Sequence, residues 1–240
     1  MRGAGAVLLV LLALVSACAP SPPPLAVFAA ASLGDVAEAV PTESGRRVRV
    51  TIGATSLLSQ QIARGAPADV FVAAAPVWVD RVVEAGRGVG APVEVARGRL
   101  VIVARAGTPR AGSALAALGG AGRVALADPS HVPAGQYARA ALRSGRAWGA
   151  VRDRVVATAD VRAALAAVQR GAADAAVVYA SDALAAPDLA VVYRFSASET
   201  PTVRYVGIVT SADPDAAAWL RAFRDSTDLW RRHGFEPTAP

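Results

Sequence analysis

The sequence predicts an α/β protein with largely parallel sheets flanked by helices. Three observations support this. Short β-branched runs alternate with alanine-rich stretches of helical period along most of the chain. Hydrophobic residues make up 54% of the 240 residues and charged residues 18%, enough apolar surface for a substantial core. The strand-to-helix turns repeatedly carry Ser, Thr, Asp or Pro, residue types that suit helix starts.

The first segment reads as an address. Met1-Arg2 precedes an apolar run over 4–15 and then Ser16-Ala17-Cys18-Ala19, a basic start and short apolar stretch ending in small residues. The run is too short for a stable bilayer-spanning helix. Val15-Ser16-Ala17-Cys18 resembles the lipobox of bacterial lipoproteins, which implies a signal peptide over 1–17 and a lipid on Cys18. Residues 18–24, ending in Pro22-Pro23-Pro24, read as an extended tether.

Beyond the tether, strands are expected at 25–29, 47–52, 70–73, 100–104, 124–127, 155–157, 175–179 and 189–193. In the second of these, Val48, Val50 and Ile52 alternate with Arg47, Arg49 and Thr51, the mark of a strand with one apolar face. Helices are expected at 33–40, 57–64, 77–85, 114–118, 134–144, 161–170 and 215–224, with Gly65 and Gly86 as stops. The stretch 87–98 is glycine-rich and poorly periodic, and reads as a surface excursion.

Composition excludes several functions. One Cys and two His allow no disulfide framework and too few soft ligands for a zinc site. All 25 basic residues are Arg, scattered through helical stretches, which argues against a nucleic-acid surface despite a net charge of +6. No Gly-x-Ser-x-Gly elbow and no Ser-x-x-Lys occurs, so a lipid-anchored hydrolase or transferase using Ser32 or Thr55 lacks its nucleophile signature.

The chemistry is expected at the turns. Ser32 stands at one helix start with Asp35 three residues on, Thr55 and Ser56 at the next, and Asp128 to Gly135 at a third. Asp160-Val161-Arg162 opens a fourth helix, and Tyr179 to Asp182 closes a strand. In a parallel sheet these turns share the carboxyl edge, where the crevice lies. Helix N-termini there present unpaired N–H groups and partial positive charge, a site for a small oxyanion. Taken singly, Ser32 and Thr55 are as readily N-caps, Tyr179 a core aromatic, and Arg162 and Arg139 solvated residues on helix faces.

Phe28-Ala29-Ala30-Ala31-Ser32-Leu33, Gln61 to Phe71, Asp128 to Gly135, Asp160-Val161-Arg162 and Val178 to Asp182 together resemble the periplasmic molybdate-binding proteins of ABC importers. The resemblance runs from Leu25 to Gly234-Phe235. It implies a two-lobed, type II periplasmic-binding-protein fold that closes on one molybdate or tungstate between the lobes, with no catalysis and no cofactor. Lobe 1 would comprise 25–98 and 204–240, and lobe 2 residues 99–203. Carried onto this chain, the ligand contacts are the hydroxyls of Ser32, Thr55 and Tyr179 and the N–H groups of Ser32, Thr55, Ala134 and Val161. The family usually has Ser where Thr55 stands, and Ser56 beside it is an alternative contact. No protein group would bond the metal directly. The resemblance further implies a monomer, anchored by its lipid outside the cytoplasmic membrane, that hands its anion to an ABC permease. A receptor for another tetrahedral anion such as sulfate is the nearest alternative.

Overall fold

The computed structural model describes residues 22–238. The leader over 1–17, Cys18 and the first residues of the tether lie outside them. Strand β1 (Leu25–Ala30) is followed by a 3-10 turn (Ala31–Leu33), helix α1 (Gly34–Glu38), β2 (Val48–Gly53), α2 (Thr55–Ala63), β3 (Val70–Ala73), α3 (Pro76–Glu84) and β4 (Val89–Gly98). The chain then forms β5 (Leu100–Arg105), α4 (Ala114–Leu118), β6 (Val124–Ala127), α5 (Pro133–Ser144) and α6 (Trp148–Val151). After these come β7 (Val155–Thr158), α7 (Val161–Gln169), β8 (Ala175–Tyr179), α8 (Ala180–Leu184) and β9 (Leu189–Arg194). The last elements are β10 (Val203–Val209), α9 (Pro214–Asp225), α10 (Thr227–Arg232) and β11 (Glu236–Pro237).

These strands build two sheets, ordered β11-β4-β10-β3-β1-β2 and β7-β6-β8-β5-β9. The architecture is that of a two-lobed periplasmic binding protein, and the chain passes from the first sheet to the second at Gly98–Arg99 and returns between Arg194 and Val203. Both sheets are mixed. Parallel pairing joins β1 to β2 and β3, and β6 to β7 and β8. Antiparallel pairing enters through β10, β4 and β11 in one sheet and β5 and β9 in the other.

Small side chains set the helix packing. In α7 the buried residues Val161, Ala164, Leu165 and Val168 follow helical spacing, and α5 buries Ala134, Gly135, Ala138, Ala141 and Leu142. The bulk that alanine lacks is supplied near the C-terminus. Trp219 stacks on Phe223 at 4.7 Å, Phe223 meets Trp230 edge-on at 4.6 Å, and Trp230 meets Phe235 at 5.2 Å. Both indole N–H groups donate to backbone carbonyls, of Val40 and Phe223.

Three expectations need correcting. The sheets are not largely parallel, because β4, β10 and β11 in one and β5 and β9 in the other join by antiparallel pairing. The stretch 87–98 is no excursion: residues Val89–Gly98 form a ten-residue strand between β10 and β11. Its first half is exposed and its pairing with β10 shifts register twice, so neither alternation nor an apolar run marks it. Ile52 does not share the burial of Val48 and Val50, which are half-buried against the core; it is 44% exposed on edge strand β2, its Cδ1 lying over Gly34.

Candidate anion-binding site

Strand register creates the site. Ala30 pairs with Gly53 at the ends of β1 and β2, so Ser32 and Thr55, two residues beyond each, emerge on the same edge. In the other sheet Ala127 pairs with Thr158, which brings the turns before α5 and α7 level with one another. The α5 turn is held tightly to its strand: a Cβ on Gly135 would lie 1.9 Å from the Ala127 carbonyl oxygen, so only glycine permits this approach.

Ser32, Thr55, Ala134, Val161 and Tyr179 all line one cavity of about 220 Å³, with Ala30, Ala31, Gly53, Ala54, Ala74, Val132, Pro133 and Asp160. The five residues are each at most 4% exposed. None of the lining residues is basic.

Neither Ser32 nor Thr55 is an N-cap. Ser32 lies inside the 3-10 turn, and its Oγ is 3.1 Å from the Tyr205 hydroxyl. Thr55 is the first residue of α2, and its Oγ1 accepts the Ala74 N–H at 3.2 Å. A hydroxyl that accepts one bond still has its proton to donate. The Tyr179 hydroxyl is buried with no hydrogen-bond partner among the described residues. Burial pushes it well above the ordinary tyrosine range, so it remains a protonated donor. Ser56, the alternative to Thr55, is fully buried with an unpartnered Oγ and does not line the cavity.

Backbone donors complete the set. Helices α2 and α5 have Ala54 and Val132 at their N-cap positions, with no side-chain cap, which leaves their first N–H groups without an intrahelical acceptor. Pro133 removes one donor at the first position of α5, and the N–H groups of Ala134 and Gly135 follow it. At α7 Asp160 is a true N-cap, its Oδ1 accepting the Ala163 N–H at 2.9 Å, while the Val161 N–H precedes the capped position. The arrangement offers a small anion neutral hydroxyls and three helix N-termini, with no fixed cation.

The second rank of residues was not foreseen. Tyr205 stands 173 positions from Ser32 and only the fold brings them together. Arg162 is no solvated helix residue: its Nη2 lies 2.8 Å from Asp35 Oδ2 and its Nε 2.7 Å from Asp182 Oδ1, the latter at ion-pair distance without hydrogen-bond alignment. Asp182 is fully buried and its Oδ2 accepts the Tyr179 N–H at 3.2 Å. Burial raises its carboxyl to about 7, against the pull of Arg162. His131 bonds the Ser130 hydroxyl at 2.9 Å in an exposed loop. Asp69, Asp128 and Asp174 each accept a backbone N–H. Among the described residues no group of three His, Cys, Asp or Glu could hold a metal, and no helix is long and apolar enough to cross a membrane.

Comparison with known proteins agrees with this architecture. The chain is 34% identical over 228 residues to the molybdate-binding protein ModA of Escherichia coli, covering 88% of each chain. It is 35% identical over 200 residues to the ModA of Haemophilus influenzae, covering 78% of each. The solved periplasmic molybdate-binding protein of Azotobacter vinelandii superposes with a TM-score of 0.74 at 18% identity, over 90% of this chain and 99% of that one. The sulfate-binding protein SubI of Mycobacterium tuberculosis shares the fold at a TM-score of 0.71 and 21% identity, over 91% and 88%. The family described as bacterial extracellular solute-binding protein matches residues 25–236. The chain therefore belongs to the bacterial extracellular solute-binding proteins, a family of receptors and not of enzymes.

Proposed function

We propose that this protein captures molybdate, and tungstate with it, in the cavity between its lobes and delivers the anion to an ABC permease. The observation that carries the reading is the convergence of Ser32, Thr55 and Tyr179 hydroxyls with three helix N-termini around a small cavity without a basic lining residue. A fully ionised tetrahedral oxyanion has acceptors on every oxygen and needs only donors, which is what these groups supply. The ModA relatives, named for binding molybdate, support the choice of anion.

In this reading the N–H groups of Ser32, Thr55, Ala134 and Val161 join the three hydroxyls, and the anion's metal has no bond to the protein. Binding brings the lobes together, release follows their opening, and no covalent step or cofactor is involved. The protein acts as a monomer outside the cytoplasmic membrane, tethered by lipid on Cys18.

Thermal melts with molybdate, tungstate, sulfate and phosphate test it. At 100 times the dissociation constant, binding to the native state adds about 2.7 kcal/mol, a rise of roughly 5–10 °C for a chain of this size. Such a rise with molybdate and tungstate but not sulfate is the expected result. A rise with sulfate alone would keep the site and change its ligand, and no rise with any of the four would end the oxyanion reading.

A further inference from the structure

The three turns that bring Ser32, Val161 and Tyr179 to the cavity are joined behind it by one guanidinium. Arg162 directly follows Val161 on α7. Asp35, at 2.8 Å, is three residues after Ser32 and belongs to the opposite lobe. Asp182, at 2.7 Å, is three residues after Tyr179 and holds that tyrosine's N–H. Helix α7 also packs against the 3-10 turn that carries Ser32, so the bridge sits at a direct contact between lobes.

The surroundings make the bridge consequential. Asp182 is 0% exposed, and a carboxylate so buried needs a partner of opposite charge. The Arg162 side chain is 30% exposed and the Asp35 side chain 54%, so the half of the bridge that crosses the cleft is the half water can reach. A second cavity, of about 580 Å³, lies on this side and is lined by Ser32, Asp35, Arg162, Ser181, Arg232 and His233 among others. Ser32 borders both cavities, and the Arg162–Asp35 pair stands in the wall of the outer one.

We propose that Arg162 is a positioning residue: anchored by Asp182 in its own lobe, it clasps Asp35 across the cleft, aligns the three turns of the anion site and sets how long the closed, loaded form lasts. The proposal rests on the oxyanion-receptor reading for its ligand, but the clasp itself is a property of the two lobes.

The test is the kinetics of molybdate release and capture, followed by intrinsic fluorescence in rapid mixing, for the wild type, Asp35→Asn, Arg162→Gln, Arg162→Lys and the Asp35→Asn/Arg162→Gln double variant. Asp35→Asn leaves the buried pair intact and guards against mere misfolding in Arg162→Gln. Release should quicken roughly fivefold in Asp35→Asn, the scale of one partly exposed ion pair, while capture changes less than twofold. The double variant should release no faster than Arg162→Gln, since both substitutions remove the same contact, and Arg162→Lys should recover part of the effect. Wild-type release rates in Asp35→Asn, or effects that multiply in the double variant, would overturn the proposal. So would a lowered melting temperature without faster release, which marks a purely structural role. If the wild type binds no molybdate, the functional reading fails and the clasp is judged by small-angle scattering of the unliganded protein: a wider form of Asp35→Asn supports it, and an unchanged form rejects it.

Discussion

Tyr179 and Tyr205 meet edge to face at 6.0 Å, one from each sheet, yet their hydroxyls are treated differently: that of Tyr205 reaches Ser32, and that of Tyr179 has no partner among the described residues. Tyr205 also meets Phe235 at 5.2 Å, so the aromatic series from Trp219 runs without a break to the cavity wall. A rigid apolar stack thus presents a buried, unsatisfied phenol to a space that in our reading receives an anion.

The contrast yields a prediction with opposite signs for stability and binding. A buried hydroxyl without a partner costs free energy, so Tyr179→Phe should leave the unliganded melting temperature unchanged or raise it. The same variant should bind molybdate about 10- to 100-fold more weakly, because hydrogen bonds to charged groups contribute about 1.5–3 kcal/mol. Calorimetric titration and a ligand-free melt decide it together. A variant that loses stability and keeps its affinity would make Tyr179 a packing residue.

Thr55 is expected to behave otherwise, since its oxygen already serves the fold. In Thr55→Val the buried Ala74 N–H loses its acceptor, at a cost of about 1–3 kcal/mol, and the anion loses a donor. Thr55→Ser keeps the hydroxyl and should stay within about 1 kcal/mol of the wild type in denaturant melts. Should Thr55→Val bind molybdate as the wild type does, the contact must move elsewhere.

How much of this was legible in the sequence follows from the range of each interaction. Strands β3, β6 and β8, buried along their whole length, are set by continuous apolar runs, and the turns before α2, α5 and α7 by local turn chemistry, and they fall where the residues place them. Parallel register brings Ser32 and Thr55 level in one sheet and the turns before α5 and α7 level in the other, while the meeting of the two groups in one cavity depends on how the lobes dock. What could not be read is non-local. Tyr205 is an ordinary tyrosine in a returning strand, and nothing near it signals Ser32. Asp182 and Arg162 have the spacing of a cap and an exposed helix residue, and only the docking of α7 on the opposite lobe makes one buried and the other a bridge. Strand β4 escaped because an exposed, glycine-containing strand shows neither period.

Gly135 should tolerate no side chain. A Cβ there would come within 1.9 Å of the Ala127 carbonyl oxygen and 2.7 Å of two backbone carbons, so the clash is with a strand and not with a movable side chain. Gly135→Ala is expected to destabilise by about 3 kcal/mol or more, at the upper end of overpacking costs. Because the displaced turn carries the Ala134 N–H, the folded fraction should also bind molybdate poorly. Urea melts of the variant beside Gly120→Ala, where nothing lies within 4 Å of the added carbon, would separate the clash from the general effect of alanine.

The raised carboxyl of Asp182 sets a pH dependence whose sign can be worked out. Its value is about 7 in the folded protein against 3.8 unfolded, so between those limits the folded state holds the extra proton. Stability from this group is therefore fully present below about pH 4 and lost as the pH rises through about 7. Asp182→Asn keeps an acceptor for the Tyr179 N–H and removes the titration. Urea melts at pH 5, 6, 7 and 8 should show the variant gaining on the wild type as the pH rises. A constant difference over that range would mean that Asp182 stays charged throughout.

Discrimination by protonation follows from the same inventory of donors. Among the described residues Asp160 is the only carboxylate lining the cavity, and its Oδ1 is committed to capping α7. A phosphate that retains a proton places its own O–H among hydroxyls and helix N–H groups that also need acceptors. One donor is then left facing another, a mismatch that costs about 1–3 kcal/mol for each buried group left unpaired. Phosphate at pH 6 should accordingly raise the melting temperature far less than molybdate at equal concentration, and raising the pH to 8 should narrow the gap only in part, because phosphate then sheds one of its two protons and keeps the other. Equal stabilisation by the two anions at pH 6 would mean that an acceptor reaches the ligand, and the uncommitted oxygen of Asp160 would be the group to replace, by Asp160→Asn. That variant keeps the cap on α7 through its side-chain oxygen, so a loss of phosphate binding alone would identify the acceptor.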